Sequence, residues 1–175
     1  MGKIDKIYEA VDDFGLITSA EAEKLGMSNA EIVQQAAKGK IERVARGVYR
    51  MPVWPAQEQD AYAIAVKAAG EDACLYGESV VTMLRLAPTN PSKMWIASTK
   101  RNRRNLGHNI QFVRRTDFQS ELVEGIACQP ISKAILSAAK TLGNKRAIDA
   151  SKKALSEGFI TKEEAETIEK ELQIA

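Results

Sequence analysis

The first hydrophobic pattern in the chain is helical. Apolar side chains recur at three- and four-residue spacing over the first fourteen residues, at Ile4, Ile7, Tyr8, Val11 and Phe14. This spacing puts them on one face of an amphipathic helix. We expect this first helix to end at Gly15, since glycine commonly follows the last turn of a helix.

Two further helices are predicted from signals at their amino-terminal ends. Thr18 to Glu21 and Ser28 to Glu31 each place a hydroxyl three residues before a glutamate. In such a capping box the two side chains satisfy backbone N–H groups that the helix leaves unpaired. The first box predicts a short helix to Leu25, and the second predicts a helix to about Lys38. Two capped helices separated by the Gly26-Met27 break form a helix-turn-helix pattern.

Two short β-prone runs follow, at residues 41–45 and 48–51, around the dipeptide Arg46-Gly47. Three helices followed by a small basic hairpin are typical of a winged helix-turn-helix. The proline-containing segment 52–55 then predicts a stiff, extended connector, because proline fixes its own backbone and restricts the residue before it. We therefore predict a winged helix-turn-helix DNA-binding domain at residues 1–52.

The remaining pattern predicts a second domain, of α+β class, over residues 53–175. Its expected elements are helices at 59–70 and 75–86, strands at 94–98 and 110–114, a weaker strand at 122–128, and helices at 131–142, 145–157 and 162–173. The predicted fold class of the whole chain is thus α+β: an N-terminal winged helix-turn-helix, then a mixed α/β domain with a small sheet and C-terminal helices.

Charge is segregated along the chain, although the formal net charge is only +2. Residues 38–51 carry five basic side chains and one acidic one, and residues 79–116 carry eight basic side chains and no acidic one. The other segments are net acidic. A single basic run is usually a solvated surface, but two runs with almost no internal acid favour a polyanionic partner.

Composition excludes several classes of protein. Hydrophobic residues make up 45% of the chain and charged residues 27%, as in ordinary globular domains. Two cysteines, Cys74 and Cys128, are too few for a disulfide framework or a four-ligand zinc site. The chain has no run of about 18 apolar residues and no signal-peptide or myristoylation pattern at its start. We expect a cytoplasmic protein without a membrane partner.

Catalytic groups are sparse, so we predict that the chain is not an enzyme and uses no metal or cofactor. His108 is the single histidine, and it is interpreted as a loop residue or phosphate contact rather than a general base. Gly77-Glu78-Ser79 resembles the start of a nucleotidyltransferase site but lacks the paired carboxylates that two-metal chemistry requires. No phosphate-binding glycine motif is present. A small nucleic-acid-processing enzyme remains the alternative from another class.

The residues predicted to bind DNA lie in the third helix and the hairpin. Asn and Gln side chains pair with adenine in the major groove, and Lys reaches guanine or a phosphate. Arginines of the hairpin would follow the backbone or enter the minor groove. The candidates are Ser28, Asn29, Gln34, Gln35, Lys38, Lys40, Arg43, Arg46 and Arg50.

The other side of the third helix is predicted to be core. We expect its apolar residues Ile32, Val33, Ala36 and Ala37 to face inward. Two alternatives stay open for this domain. In the first, Ser28 and Glu31 only cap the helix and do not contact DNA. In the second, the winged helix is a protein-interaction module.

A second candidate surface surrounds the connection between the strands at 94–98 and 110–114. If these strands pair as an arginine-rich hairpin, several cations approach one edge of the sheet and would suit a nucleic acid or an acidic protein. A purely solubilising loop is the alternative. The residues are Lys100, Arg101, Arg103, Arg104, Arg114 and Arg115.

Residues 17–22 (ITSAEA) and 39–50 (GKIERVARGVYR) resemble the N-terminal winged helix of AbiEi-type antitoxins. The resemblance extends, less specifically, to Leu84-Arg85-Leu86, to the arginine-rich hairpin and to Gly158-Phe159-Ile160-Thr161. These antitoxins are winged-helix transcriptional regulators of bacterial type IV toxin–antitoxin systems, which act in abortive infection.

The resemblance implies an autorepressor that binds double-stranded DNA at inverted repeats in its own promoter, as a dimer on the DNA. It further implies antagonism of a nucleotidyltransferase-like toxin without a stable complex. The DNA role falls on the third-helix and hairpin positions above, and antagonism on the second basic surface. A stand-alone winged-helix transcription factor without a toxin is the alternative within this class.

Overall fold

The structure is a computed structural model that describes residues 2–100, 106–107, 109–116 and 119–174. Within these ranges the chain has a mixed α/β architecture with eight helices and two sheets. It divides into two compact units, Met1–Glu71 and Asp72–Ala175. None of the helices in the described ranges combines the length and apolar character needed to cross a bilayer.

The first unit combines four helices with a three-stranded antiparallel sheet. Its elements are α1 (Lys3–Ala10), β1 (Leu16–Thr18), α2 (Ser19–Lys24), α3 (Asn29–Ala37), β2 (Glu42–Ala45), β3 (Val48–Arg50) and α4 (Asp60–Ala69). The central strand is β3, with β1 and β2 on its two sides. One face of the sheet joins the helices α1–α3 in a core that includes Ile7, Ile17, Ile32, Tyr49 and Met51.

The first helix is shorter than its hydrophobic pattern predicts, because it ends at Ala10 instead of continuing to Gly15. The carboxylate of Asp12 accepts hydrogen bonds from the N–H groups of Phe14 and Leu16, at 2.9 Å each. These bonds turn the chain away from the helix and into β1, a strand that the sequence did not predict. Phe14 is buried in the turn rather than on the helix.

The boundary between the two compact units lies after Glu71, whereas the sequence predicts a domain boundary at 52/53. Helix α4 contacts all three strands of the first sheet and so belongs to the first unit. The segment before it is not an extended connector: the N–H of Trp54 donates to the carbonyl of Met51, which closes a turn. The first unit therefore ends at Glu71.

The second unit contains a five-stranded mixed sheet with the strand order β6-β5-β4-β8-β7. Its elements are β4 (Cys74–Leu75), α5 (Glu78–Met83), β5 (Met94–Ser98), β6 (Ile110–Arg114), β7 (Glu121–Val123), β8 (Ile126–Cys128), α6 (Ile131–Leu142), α7 (Asn144–Ser156) and α8 (Lys162–Ile174). Among the helices of this unit, α6 is central, because it contacts α5, α7 and α8.

Two elements of the second unit differ from the prediction. The expected helix at 75–86 begins only at Glu78, because Cys74 and Leu75 are paired within the sheet and Gly77 turns the chain with φ 54° and ψ −125°. That conformation is readily accessible only to glycine. The weak strand at 122–128 is an antiparallel pair, β7 and β8.

Candidate nucleic-acid interface

Helix α3 begins at a capping box. The hydroxyl of Ser28 accepts the N–H of Glu31 at 3.2 Å, and the carboxylate of Glu31 accepts the N–H of Ser28 at 2.9 Å. Thr18 and Glu21 form the same pair of bonds at the start of α2. The structure thus gives Ser28 the capping role that the sequence left as an alternative.

The face that α3 turns to solvent differs from the expected one. Ile32 is fully buried and Ala36 packs beside it, so these two residues, one turn apart, form the contact with the core. Val33 is 52% exposed and Ala37 is exposed, although both were expected to face inward. A helix packed along a narrow stripe leaves the next residue, rotated by about 100°, outside the contact.

The polar candidates on α3 are largely accessible. Asn29, Gln34 and Lys38 are exposed, and Gln35 is half-buried. Asparagine and glutamine amides on a free helix face have the donor and acceptor pair that matches an adenine edge. Helix α3 therefore presents a mixed polar and apolar surface with a cation at its carboxyl end.

Cations continue from α3 into the hairpin formed by β2 and β3. Lys40, Arg43 and Arg46 are all exposed. Arg43 lies opposite Tyr49 in the sheet register, and directly opposite residues project from the same face. Tyr49 is part of the core with α3, so Arg43 lies on the side of the sheet that packs with α1–α3, opposite the side covered by α4.

The tip of the hairpin is fixed to the start of α2. Gly47 has φ 72° and its carbonyl accepts the N–H of Ser19 at 3.0 Å. Glycine is favoured here because a positive φ is strained for residues with a side chain. This bond fixes the backbone next to Arg46 beside the start of α2.

Arg50 is directed elsewhere. Its guanidinium donates to the carbonyls of Trp54 (3.1 Å) and Pro55 (2.9 Å) and lies 3.3 Å from the carboxylate of Asp60. The Arg50 side chain is only 16% exposed. It joins β3 to α4 and lies on the opposite face of the strand from Tyr49, away from the exposed basic residues Lys40, Arg43 and Arg46.

The acidic residue of α3 is paired. Lys3 Nζ lies 2.7 Å from a carboxylate oxygen of Glu31. The hydrogen bond from Lys3 lowers the pKa of Glu31, and the N–H of Ser28 acts in the same direction. The negative charge of α3 is therefore balanced within the unit.

The second candidate surface is not a hairpin. Strands β5 and β6 are parallel, so the chain must cross back between them. Their carboxyl ends lie together, with Ser98 opposite Arg114. In the part of the chain that the structure describes, Lys100 and Arg114 are exposed cations at this end. Arg101, Arg103 and Arg104, together with His108, lie outside the described residues.

Arg115 stabilises the second unit from within. Its guanidinium donates to the hydroxyl of Tyr76 at 3.0 Å and lies 5.5 Å from the centre of the same ring. The side chain is half-buried along the sheet. This geometry makes Arg115 a structural residue rather than a member of an exposed basic edge.

The Gly77-Glu78-Ser79 motif is used inside the fold. The N–H of Gly77 donates to the buried side chain of Gln129 at 3.0 Å, and the Ser79 hydroxyl accepts the N–H of Trp95 at 2.7 Å. The carboxylate of Glu78 accepts the hydroxyl of Thr89 at 2.6 Å. These contacts give all three residues a structural purpose.

Comparison with known proteins gives one similarity, within the first unit. A family model described as the transcriptional regulator AbiEi antitoxin matches residues 5–52, from α1 through β3. No curated protein matches the chain. The match agrees with the predicted resemblance over this segment, so residues 5–52 are similar to transcriptional regulators of the AbiEi antitoxin family.

Proposed function

We propose that this chain, whose residues 5–52 match the AbiEi regulator family, is a type IV antitoxin that represses its own promoter. In this proposal the order α1-β1-α2-α3-β2-β3 is a winged helix-turn-helix, with α3 as recognition helix and the β2–β3 hairpin as wing. The protein binds inverted repeats as a dimer on double-stranded DNA.

The main support for DNA binding by the first unit is the placement of cations beside α3. Lys38 ends the helix, Lys40 follows it, and Arg43 projects from the sheet face that packs with α1–α3. Arg46 is held at the hairpin tip by the bond between Ser19 and Gly47. Phosphates lie on both sides of a major groove, so cations flanking an exposed helix suit a duplex.

Charge reversal tests this surface. Arg43→Glu/Arg46→Glu should abolish binding to the duplex upstream of the gene, measured by fluorescence anisotropy. Lys133→Glu/Lys140→Glu changes the net charge equally at exposed positions of α6 and should leave binding unchanged. For the wild-type chain, the logarithm of the binding constant should fall by about 0.9 per tenfold rise in salt concentration for each neutralised phosphate. Equal affinity of the two double variants would refute the assignment.

Toxin antagonism belongs to the second unit in this proposal. Its proposed surface is the exposed pair Lys100 and Arg114, at the carboxyl ends of β5 and β6. Arg101, Arg103 and Arg104, which follow Lys100 in the sequence, are proposed for the same role from the sequence alone. Lys100→Glu/Arg114→Glu should abolish rescue from a co-expressed nucleotidyltransferase-like toxin and should retain promoter binding. Loss of promoter binding without loss of rescue would reverse the assignment of the two units.

A stand-alone regulator without a toxin is the second candidate. The family match ends at residue 52, so the regulator role has support that the toxin role lacks. The gene adjacent to this one distinguishes the two candidates. A neighbouring nucleotidyltransferase gene whose product inhibits growth, and is countered by this chain, supports the antitoxin; the absence of such a gene supports the stand-alone regulator.

A further inference from the structure

Val33 is an apolar residue on the exposed side of α3. It is 52% exposed, whereas its neighbour Ile32 is fully buried and makes the contact with the core. Valine is also a weaker helix former than alanine, because its branched side chain is restricted in a helix. Neither core packing nor helix propensity therefore accounts for valine at this position.

The residues around Val33 leave its methyl groups accessible. Ala30 and Ala37, about one turn before and after it, are exposed and small. Asn29, one turn earlier, and Gln34, the next residue, are exposed amides. The surface is therefore one branched apolar side chain surrounded by small and hydrogen-bonding groups.

A DNA duplex suits this surface better than a protein. Stable protein interfaces generally bury more than about 1,000 Å² around a cluster of large apolar anchors, and α3 offers one valine. The exposed cations Lys38, Lys40 and Arg43 follow it along the chain. In the major groove of DNA, thymine is the base that presents a methyl group, and apolar side chains contact it there.

We propose that Val33 contacts the C5-methyl group of a thymine in the major groove and so determines specificity for an A·T base pair in each half-site. This inference rests on the proposed function, since it places α3 in the groove of the operator. When α3 lies in the groove, the exposed amides of Asn29 and Gln34 offer the donor and acceptor pair that matches an adenine edge.

Replacement of thymine by deoxyuridine tests the contact, because it removes only the methyl group. Once the protected operator is defined by footprinting, each thymine in a half-site is replaced in turn. We expect one replacement to weaken wild-type binding about four-fold, the effect of one buried methyl group. Val33→Ala should weaken binding to the unmodified operator by a similar factor and be insensitive to that replacement.

Val53→Ala is the matched control, since Val53 is 72% exposed and lies outside α3. It should keep both the wild-type affinity and the wild-type response to deoxyuridine. The melting temperature of Val33→Ala should equal that of the wild type or exceed it slightly, since alanine is the better helix former, and this result excludes a folding defect.

The outcomes separate this inference from the proposed function. If the wild type binds its operator and Val33→Ala responds to every deoxyuridine as the wild type does, the methyl contact is wrong and the regulator stands. If the wild type binds no duplex specifically, both the proposed function and this inference are overturned.

Discussion

A Cβ atom added to Gly15 would lie 2.4 Å from Cγ of Trp54. The indole of Trp54 lies directly over the Gly15 backbone, donates its N–H to the carbonyl of Asp13 at 2.9 Å and meets the ring of Tyr8 edge-on at 6.0 Å. Gly15 also has φ 71°. The turn into β1 and the segment after β3 are therefore fixed to each other.

Gly15→Ala should lower the free energy of unfolding by about 2–4 kcal/mol, since it combines a strained backbone with overpacking against Trp54. Urea unfolding followed by Trp fluorescence measures the change. Gly39→Ala is the control: Gly39 has φ 75°, but an added Cβ would meet no atom within 4 Å. It should cost about 1 kcal/mol, from the backbone alone. Equal losses for the two variants would show that the contact with Trp54 is unimportant.

The first unit should fold only when α4 is included. In β3, Val48 and Arg50 share the face opposite Tyr49, and Arg50 reaches Asp60 of α4, so this face lies under the helix. Leu16, opposite Arg50 in the register, lies on the same face and is buried with Val48.

We expect a fragment of residues 1–71 to unfold cooperatively and a fragment of residues 1–52 to be unfolded or aggregated, as measured by circular dichroism and calorimetry. The shorter fragment corresponds to the family match but exposes the apolar face of the sheet. A cooperative transition in the shorter fragment would contradict the packing role of α4. If both fragments fold, comparison of their melting temperatures gives the contribution of the helix.

Local signals in the sequence predicted where α2, α3 and α8 begin. The hydroxyl–glutamate pairs at Thr18 and Ser28 set the starts of α2 and α3, and Thr161 with Glu164 forms the same bonds before α8. A capping box depends on side chains three residues apart, so it can be recognised without knowledge of the fold. The strands at Met94–Ser98 and Ile110–Arg114 also agree with the prediction, because a short β-prone run is likewise a local signal.

Features that depend on distant partners could not be predicted. Strand β1 is three residues long, too short to show a period, and it exists because β3 pairs with it. The apolar pattern gave α3 a broad inner face, but its neighbours cover only the stripe at Ile32 and Ala36, which left Val33 in solvent. The parallel pairing of β5 with β6 likewise follows from the whole sheet.

The two cysteines predict how stability depends on alkaline pH. Both are buried and free, and burial raises the pKa of the Cys74 and Cys128 thiols from 9.0 to about 12. Above pH 9 the unfolded thiols lose protons that the native thiols keep, so the native state binds more protons. The free energy of unfolding therefore falls as pH rises from about 9 towards 12, by up to about 1.4 kcal/mol per pH unit for each thiol.

Urea unfolding between pH 8 and pH 10.5 measures this slope. Cys74→Ala/Cys128→Ala should show a shallower fall, because the contribution of the two thiols is gone. Native protein at pH 8 should react slowly with a thiol reagent, and the unfolded chain should react at both cysteines. The same pH slope in the two proteins would contradict the raised thiol pKa values.

Arg43 and Arg50 lie on neighbouring strands of the hairpin and should respond oppositely to truncation. Arg50→Ala leaves the carboxylate of Asp60, 18% exposed, without its cation, and should lower the free energy of unfolding by about 2–4 kcal/mol. Arg43→Ala removes an exposed side chain and should change stability by less than about 0.5 kcal/mol. Under conditions where both proteins are folded, only Arg43→Ala should weaken DNA binding and reduce its salt dependence. A stable Arg50→Ala variant that fails to bind the operator would instead place Arg50 in the interface. The DNA-binding surface would then include the face of β3 that carries Arg50.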